Sequence, residues 1–283
     1  MPPLSGREFR SLVSTVRRLL QQSDAIVLRH LDRVSASRKA DGSEVTLADK
    51  AAERLLRRQL RAAWPADAIF GEEFGGRIAP RGRCWLVDPI DGTASYVLGM
   101  PMFGSLLGLT IDGEAVFGCI HLPALRETTF AAIGHGCWYS RANARPRRVR
   151  VGPPRELSQA KVGVTLIKER GWMARPGAAE TMALARKAGR LRMVGDCVQY
   201  ALLCRGILDA AVDPFMKPWD IAAVVPCVLE AGGAVSDLAG QSSSILERTS
   251  LVAASSQRLR RQLCRAAADA PRERGAHGHS FVS

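Results

Sequence analysis

Apolar positions recur with a helical period at the start of the chain. Phe9, Leu12, Val13, Val16, Leu19 and Leu20 follow i, i+3, i+4 spacing and predict an amphipathic helix from Ser5 to Leu31. Ser5 and Glu8 form a capping box at its head. A polar loop from Ser35 to Glu44, holding Lys39, Asp41 and Gly42, separates it from a second helix. That helix starts at Thr46 and runs to about Trp64, with Ala52, Leu55, Leu56 and Leu60 on one face. Thr46 with Asp49 repeats the capping-box pattern, an ordinary structural reason for Asp49. The period then shortens. Ala68 to Phe70 and Trp85 to Val87 read as buried strands. Ser105 to Ile111 and Glu114 to Leu122 flank Asp112-Gly113, a hairpin signal, and Glu127 to Ile133 is a further strand.

The second half alternates. Strands are predicted at Ala160 to Leu166, Leu191 to Val194, Leu208 to Val212, Ala234 to Ser236 and Leu251 to Ala254. Helices are predicted at Gly177 to Lys187, Asp196 to Arg205, Trp219 to Glu230 and Gln257 to Ala268. Helix-strand alternation with antiparallel hairpins points to a layered α/β fold. The polar, basic, proline-containing segment from Arg141 to Gln159 reads as a junction. It divides an N-terminal half (1–150) from a C-terminal half (151–268), followed by a polar tail (269–283) with His277 and His279 that is expected to be disordered.

Bulk properties narrow the class. With 283 residues, 47% hydrophobic and 24% charged, the chain is expected to be a soluble globular protein. It contains no apolar run long enough to span a membrane and no apolar signal core at its start. Seven cysteines without a C-x-x-C pair suit reduced thiols and a cytoplasmic setting, and give no zinc signal. The net charge of +13 admits a nucleic-acid partner. The densest cluster, Arg141, Arg145, Arg147, Arg148 and Arg150, has no interleaved aromatics, so a solvated basic surface is the preferred reading.

Candidate chemistry gathers at element ends. The strand through Trp85–Val87 is expected to stop at Asp88-Pro89, because proline cannot donate to a sheet ladder. Asp88 and Asp91 then flank a tight turn that Gly92 permits. Glu72 ends an earlier strand, and Asp220 opens a later helix, where a plain N-cap is the simple alternative. Together these carboxylates offer enough oxygen ligands for two or three Mg²⁺ ions. After Asp91 come Gly92, Thr93, Ala94 and Ser95, small residues whose backbone N–H groups could face an anion.

These stretches resemble a known family. Gly71-Glu72-Glu73, then Trp85-Leu86-Val87-Asp88-Pro89-Ile90-Asp91-Gly92-Thr93, then Trp219-Asp220-Ile221-Ala222-Ala223 with Glu230-Ala231-Gly232-Gly233, look like the signatures of the inositol-monophosphatase superfamily. Lys39 to Asp49 matches its first motif. The resemblance implies a five-layered αβαβα sandwich, Mg²⁺ dependence, phosphate-monoester hydrolysis of a small metabolite and a homodimer. By matching position, Glu72, Asp88 and the Ile90 carbonyl would hold a first ion, and Asp88, Asp91 and Asp220 a second. A weaker third ion would rest on Glu72. Thr93, oriented by Asp49, would activate the attacking water together with Glu72, and the backbone of Gly92 and Thr93 would hold phosphate.

Within the superfamily, Gly195-Asp196-Cys197-Val198-Gln199-Tyr200 and Val212-Asp213-Pro214 are similar to the histidinol-phosphate phosphatase branch, although Ala94 stands where that branch carries a basic residue. Asp196 and Asp213 would add carboxylates able to receive a cationic alcohol, while Asp196 is equally read as a helix N-cap. An inositol-phosphate or nucleotide-phosphate phosphatase is the competing enzyme. A basic nucleic-acid-binding regulator on the same fold is the competing non-enzyme.

Overall fold

The computed structural model describes residues 4–31, 36–38, 44–142, 144–165 and 178–270. Lys39, Asp41 and Gly42 of the first motif, the loop holding Lys168 and Arg170, and the tail from 271 lie outside the described residues.

The first helix, α1 (Gly6–His30), begins at Ser5 with the capping box to Glu8 in place. The polar loop between the first two helices contributes two short strands, β1 (Ala36–Arg38) and β2 (Glu44–Thr46), paired antiparallel. Thr46 caps α2 (Leu47–Ala63), with Asp49 closing the box. A seven-stranded sheet follows: β3 (Ala68–Gly71), β4 (Arg83–Asp91), β5 (Gly104–Ile111), β6 (Glu114–Leu122), β7 (Glu127–Ala132), β8 (Gly136–Arg141) and β9 (Arg147–Val149), in that spatial order. Only β3 and β4 run parallel. A five-residue helix, α3 (Thr93–Val97), sits between β4 and β5. Asp112 and Gly113 join β5 to β6 with φ of 51° and 83°, the two left-handed residues that a type I′ hairpin requires.

The second half supplies β10 (Lys161–Val164), α4 (Ala178–Lys187), β11 (Arg190–Met193), α5 (Asp196–Cys204), β12 (Ala210–Asp213), α6 (Pro218–Glu230), β13 (Ala234–Ser236), β14 (Leu251–Ala254) and α7 (Gln257–Ala268). Its five strands order as β11-β10-β12-β14-β13.

Alternation along the strands builds five layers. Helices α1 and α2 bury Leu12, Val16, Leu19, Leu56 and Leu60 against Trp85, Val87, Leu107, Leu109 and Phe117 of the large sheet. Leu86, Leu106 and Ile120, one residue out of phase, face the opposite way and pack on Tyr200 of α5 and Ile221 and Val224 of α6. The far side of α5 and α6 meets Ala211, Val235 and Ala253 of the small sheet. Its outer face, Val162, Val212 and Val252, is covered by Leu184 of α4 and Leu259 and Leu263 of α7. The expected αβαβα sandwich is present. Helix α6 comes unusually close to the large sheet, because a Cβ at Gly118 would lie 1.9 Å from the Ala223 carbonyl oxygen.

Two expectations are corrected. The segment from Arg141 to Gln159 contains β9, and Gly136–Arg141, where the pattern predicts no element, is a strand. β8 is buried along nearly its whole length and β9 is only three residues long, so neither shows a clear alternation. More important for function, the strand does not stop at Asp88-Pro89. It continues to Asp91 through a β-bulge, where Pro89 and Ile90 stand opposite Ser105 alone. Ser105 Oγ donates to the Pro89 carbonyl oxygen at 2.7 Å. A bulge is the place where a central strand can accept proline.

Candidate active site

The bulge decides the geometry of the site. In a regular strand, residues three apart point to opposite faces. One extra residue in between returns Asp88 and Asp91 to the same face. Asp220 joins them from the first turn of α6, and one carboxylate oxygen from each of the three lies within 4.8 Å of the others. Asp220 is not the plain N-cap of the alternative reading. Lys217 is the cap, Pro218 is the first helical residue, and Asp220 reaches back to accept the Lys217 N–H at 2.8 Å.

Each carboxylate is fixed by backbone donors. Asp88 Oδ1 accepts the Ile90 N–H at 2.9 Å, and Asp91 Oδ2 accepts the Cys197 N–H at 2.5 Å from the start of α5. These bonds do not offset the cost of crowding. The Asp91 pKa is raised to about 8, chiefly by burial and then by the charge of Asp220. Burial likewise pushes Asp220 to about 8, with Glu72 and Asp213 adding to the shift. Asp88 is driven well above the ordinary carboxylate range, first by burial, then by Glu72, Asp91 and Asp220. Hard oxygen donors that repel one another at this spacing fit a divalent cation of the Mg²⁺ type, which would remove the repulsion.

Glu72 belongs to the same field, since its charge acts on Asp88, Asp220 and Asp49. Its N–H bonds the Val87 carbonyl at 3.1 Å, tying the end of β3 to β4. Asp49 is fully buried, and burial raises its pKa. Its Oδ2 takes the Thr46 N–H and hydroxyl, whereas its Oδ1 has no partner. The expected link between Asp49 and Thr93 is not made. Thr93 Oγ1 donates instead to the Ile90 carbonyl at 3.1 Å, the nearest acceptor across the Gly92 turn. Gly92 has φ 84°, and a Cβ there would lie 2.9 Å from Asp196 Oδ2. The first bond of α3 runs from the Tyr96 N–H to the Gly92 carbonyl, so the N–H groups of Thr93 to Ser95 precede it.

Asp196 and Asp213 lie beside this cluster. Asp196 opens α5 after a Gly195 cap, with φ 51°, so it is the first helical residue and not the N-cap. Its pKa is raised well above normal by burial and by the charges of Asp91 and Asp213. Burial raises Asp213 to about 6, opposed by hydrogen bonds from Thr165 and from the Phe215 N–H at 2.9 Å. Thr165 is a residue that sequence reasoning missed. Its hydroxyl also accepts the Asp196 N–H at 3.1 Å and Gln199 Nε2–H at 3.0 Å, joining the ends of β10, α5 and β12.

These shifts set a pH dependence in the metal-free protein. A carboxyl raised in the folded state leaves stability intact below its unfolded pKa and removes it as pH rises through the folded value. With Asp91 and Asp220 near 8, the EDTA-treated protein should lose Tm progressively between about pH 4 and pH 8, and the rise in Tm on adding Mg²⁺ should be larger at the alkaline end. Thermal melts with EDTA and with Mg²⁺ across that range check this. A Mg²⁺ effect that shrank towards alkaline pH would contradict the assignment of the cluster.

Comparison with known proteins agrees with this geometry. Residues 10–272 match the model of the inositol monophosphatase family. The chain is 40% identical over 203 residues to a histidinol-phosphatase of Mycobacterium tuberculosis, covering 71% of this chain and 77% of the relative. It is 35% identical over 255 residues to the inositol-1-monophosphatase ImpA of Mycolicibacterium smegmatis, covering 89% and 90%. Among solved structures, an IMPase of Thermotoga maritima superposes with a TM-score of 0.79 at 26% identity, covering 92% of this chain and 96% of that one.

Proposed function

Since the chain belongs to the inositol monophosphatase family, and is therefore a phosphatase, we propose that it hydrolyses L-histidinol phosphate to L-histidinol and inorganic phosphate in a Mg²⁺-dependent reaction. One observation carries the choice of substrate: two further carboxylates, the buried Asp213 and the half-buried Asp196, stand beside the acidic cluster on elements separate from it. A leaving group bearing an ammonium and an imidazole would neutralise them, whereas a neutral polyol would not.

Glu72, Asp88, Asp91, Asp220 and the Ile90 carbonyl would hold the cations. Bound there, Mg²⁺ supplies charge neutralisation of the phosphate, a lowered pKa for the attacking water and stabilisation of the departing alkoxide. Gly92 and the first turn of α3 present backbone N–H groups to the phosphate oxygens. Thr93 would orient the attacking water and relay its proton, passing its own hydroxyl proton to the Asp49 carboxylate, with Glu72 as the other acceptor. The Asp49 oxygen without a partner is then satisfied once Thr93 turns from Ile90 towards it. Asp213 and Asp196 hold the alcohol, and Thr165 keeps Asp213 in place through its hydrogen bond.

Inositol 1-phosphate is the second reading, favoured by the longer alignment with ImpA. Asp213→Ala separates the two. A charged hydrogen bond is worth about 1.5–3 kcal/mol, so kcat/KM for histidinol phosphate should fall roughly ten- to a hundredfold. Hydrolysis of a small aryl phosphate should scarcely change, because it leaves the acidic cluster and Thr93 intact. Equal losses on both substrates would assign Asp213 to the cation site or the fold and would remove its role in recognition.

A further inference from the structure

The turn that carries Glu72 is held from beneath by one buried carboxylate. Glu53 lies one helical turn after Asp49 on α2 and is fully buried. Its Oε2 accepts the Glu73 N–H at 2.7 Å, while its Oε1 accepts the Phe74 N–H at 3.3 Å and Arg57 Nε–H at 2.7 Å. The guanidinium of Arg57 also donates to the Gly75 carbonyl. Two side chains of one helix therefore take both N–H groups that follow Glu72 and the carbonyl that closes the turn. The turn is bonded to itself by the Gly71 N–H to the Gly75 carbonyl at 3.0 Å.

Residue 71 must be glycine for this contact to exist. A Cβ at Gly71 would lie 2.2 Å from Glu53 Oε1 and 3.0 Å from an Arg57 guanidinium nitrogen. Its φ is not in the left-handed region, so the glycine supplies room and not conformation. A fully buried carboxylate is costly unless it is paired and hydrogen-bonded. Arg57 pairs it, and both of its backbone bonds come from the single turn that carries Glu72.

We propose that Glu53, braced by Arg57, is a positioning residue of the cation site: it fixes where the Glu72 carboxylate points and so sets the affinity for the divalent cation. Glu53 acts only through Glu72, since its own oxygens are spent on three N–H donors. The inference rests on the reading of Glu72 as a ligand. It explains why α2 carries two buried acids four residues apart, with Asp49 facing the site and Glu53 under the loop.

The test is Mg²⁺ binding to the purified full-length protein by titration calorimetry, with the Mg²⁺ dependence of the rate measured in parallel. Glu53→Gln keeps the shape but has one acceptor oxygen, so an amide NH₂ must face a backbone N–H or Arg57. Its Mg²⁺ affinity should fall roughly ten- to a hundredfold, the usual effect of removing a group that orients a ligand. Gly71→Ala should reproduce the loss by displacing Glu53 from the other side. Arg57→Lys should cause a smaller one, because an ammonium cannot fork between Glu53 and Gly75. Glu72→Gln is the reference arm. Unchanged Mg²⁺ affinity in Glu53→Gln, with Glu72→Gln impaired, overturns the positioning role alone. Unchanged affinity in Glu72→Gln overturns the ligand reading and the proposal with it. If Glu53→Gln does not fold, Gly71→Ala and Arg57→Lys decide: weakened Mg²⁺ binding in both supports the role, and wild-type binding in both overturns it.

Discussion

Asp91→Asn should abolish turnover while leaving the fold intact. Asp91 stands at the centre of the acidic cluster, repelled by Asp220 and Asp213 and anchored by the Cys197 N–H. The amide keeps an oxygen for that N–H but loses the charge that would hold the cation. Loss of about 4 kcal/mol of transition-state charge stabilisation is roughly a thousandfold in rate. The same change relieves repulsion, so the metal-free variant should melt no lower than the metal-free parent, and its Tm should fall less as pH rises. Both signs must appear together. Phosphate release near the parent rate at saturating Mg²⁺ would exclude Asp91 as a cation ligand. A collapsed melting curve would make it a structural residue.

Thr93→Ala should lower kcat by roughly 10²–10⁴-fold, the range of positioned proton transfer, with Mg²⁺ affinity nearly unchanged. The hydroxyl sits beside the acidic cluster but outside the three carboxylates that meet there. In the structure it donates to the Ile90 carbonyl, and the water-orienting role needs it to exchange that acceptor for Asp49 Oδ1. Asp49→Asn should then share the kcat defect, and the double variant should be little worse than either single one, as expected of groups that act as a unit. If Thr93→Ala moved only KM, the hydroxyl would be a phosphate contact and the general-base role would pass to Glu72 alone.

How far the sequence disclosed this depends on the kind of signal. Local chemistry was legible. Ser5 with Glu8 and Thr46 with Asp49 write their capping boxes in the residues themselves, and Asp112-Gly113 writes its hairpin. The apolar phase of β4 to β7 is strong because both faces are covered by helices. What escaped were features decided at a distance. Pro89 argued for a strand end, yet Ser105 on the neighbouring strand accommodates it in a bulge. That bulge, and not a turn, is what turns Asp88 and Asp91 to one side. Strand β8 escaped because it is short and buried at nearly every position, and β9 because it has three residues, two of them exposed arginines. Cap and third helical position both favour an acid, so the sequence alone did not separate them at Asp220, which is the third position. Thr165 carried no sequence signal at all. Glu53 had one: helical spacing puts it on the same face of the second helix as Leu56 and Leu60, where an acid must find a partner.

The description as a cation-dependent phosphatase selective for a cationic alcohol is tested most directly by phosphate release from the unmodified protein. Histidinol phosphate and inositol 1-phosphate should be compared side by side, each with EDTA and with Mg²⁺. Release should be absent with EDTA for both and restored by Mg²⁺, with kcat/KM at least roughly tenfold higher for histidinol phosphate, the value of one charged hydrogen bond at Asp213. Release that persists in EDTA would contradict the role of the acidic cluster, and faster cleavage of inositol 1-phosphate would contradict the role given to Asp196 and Asp213.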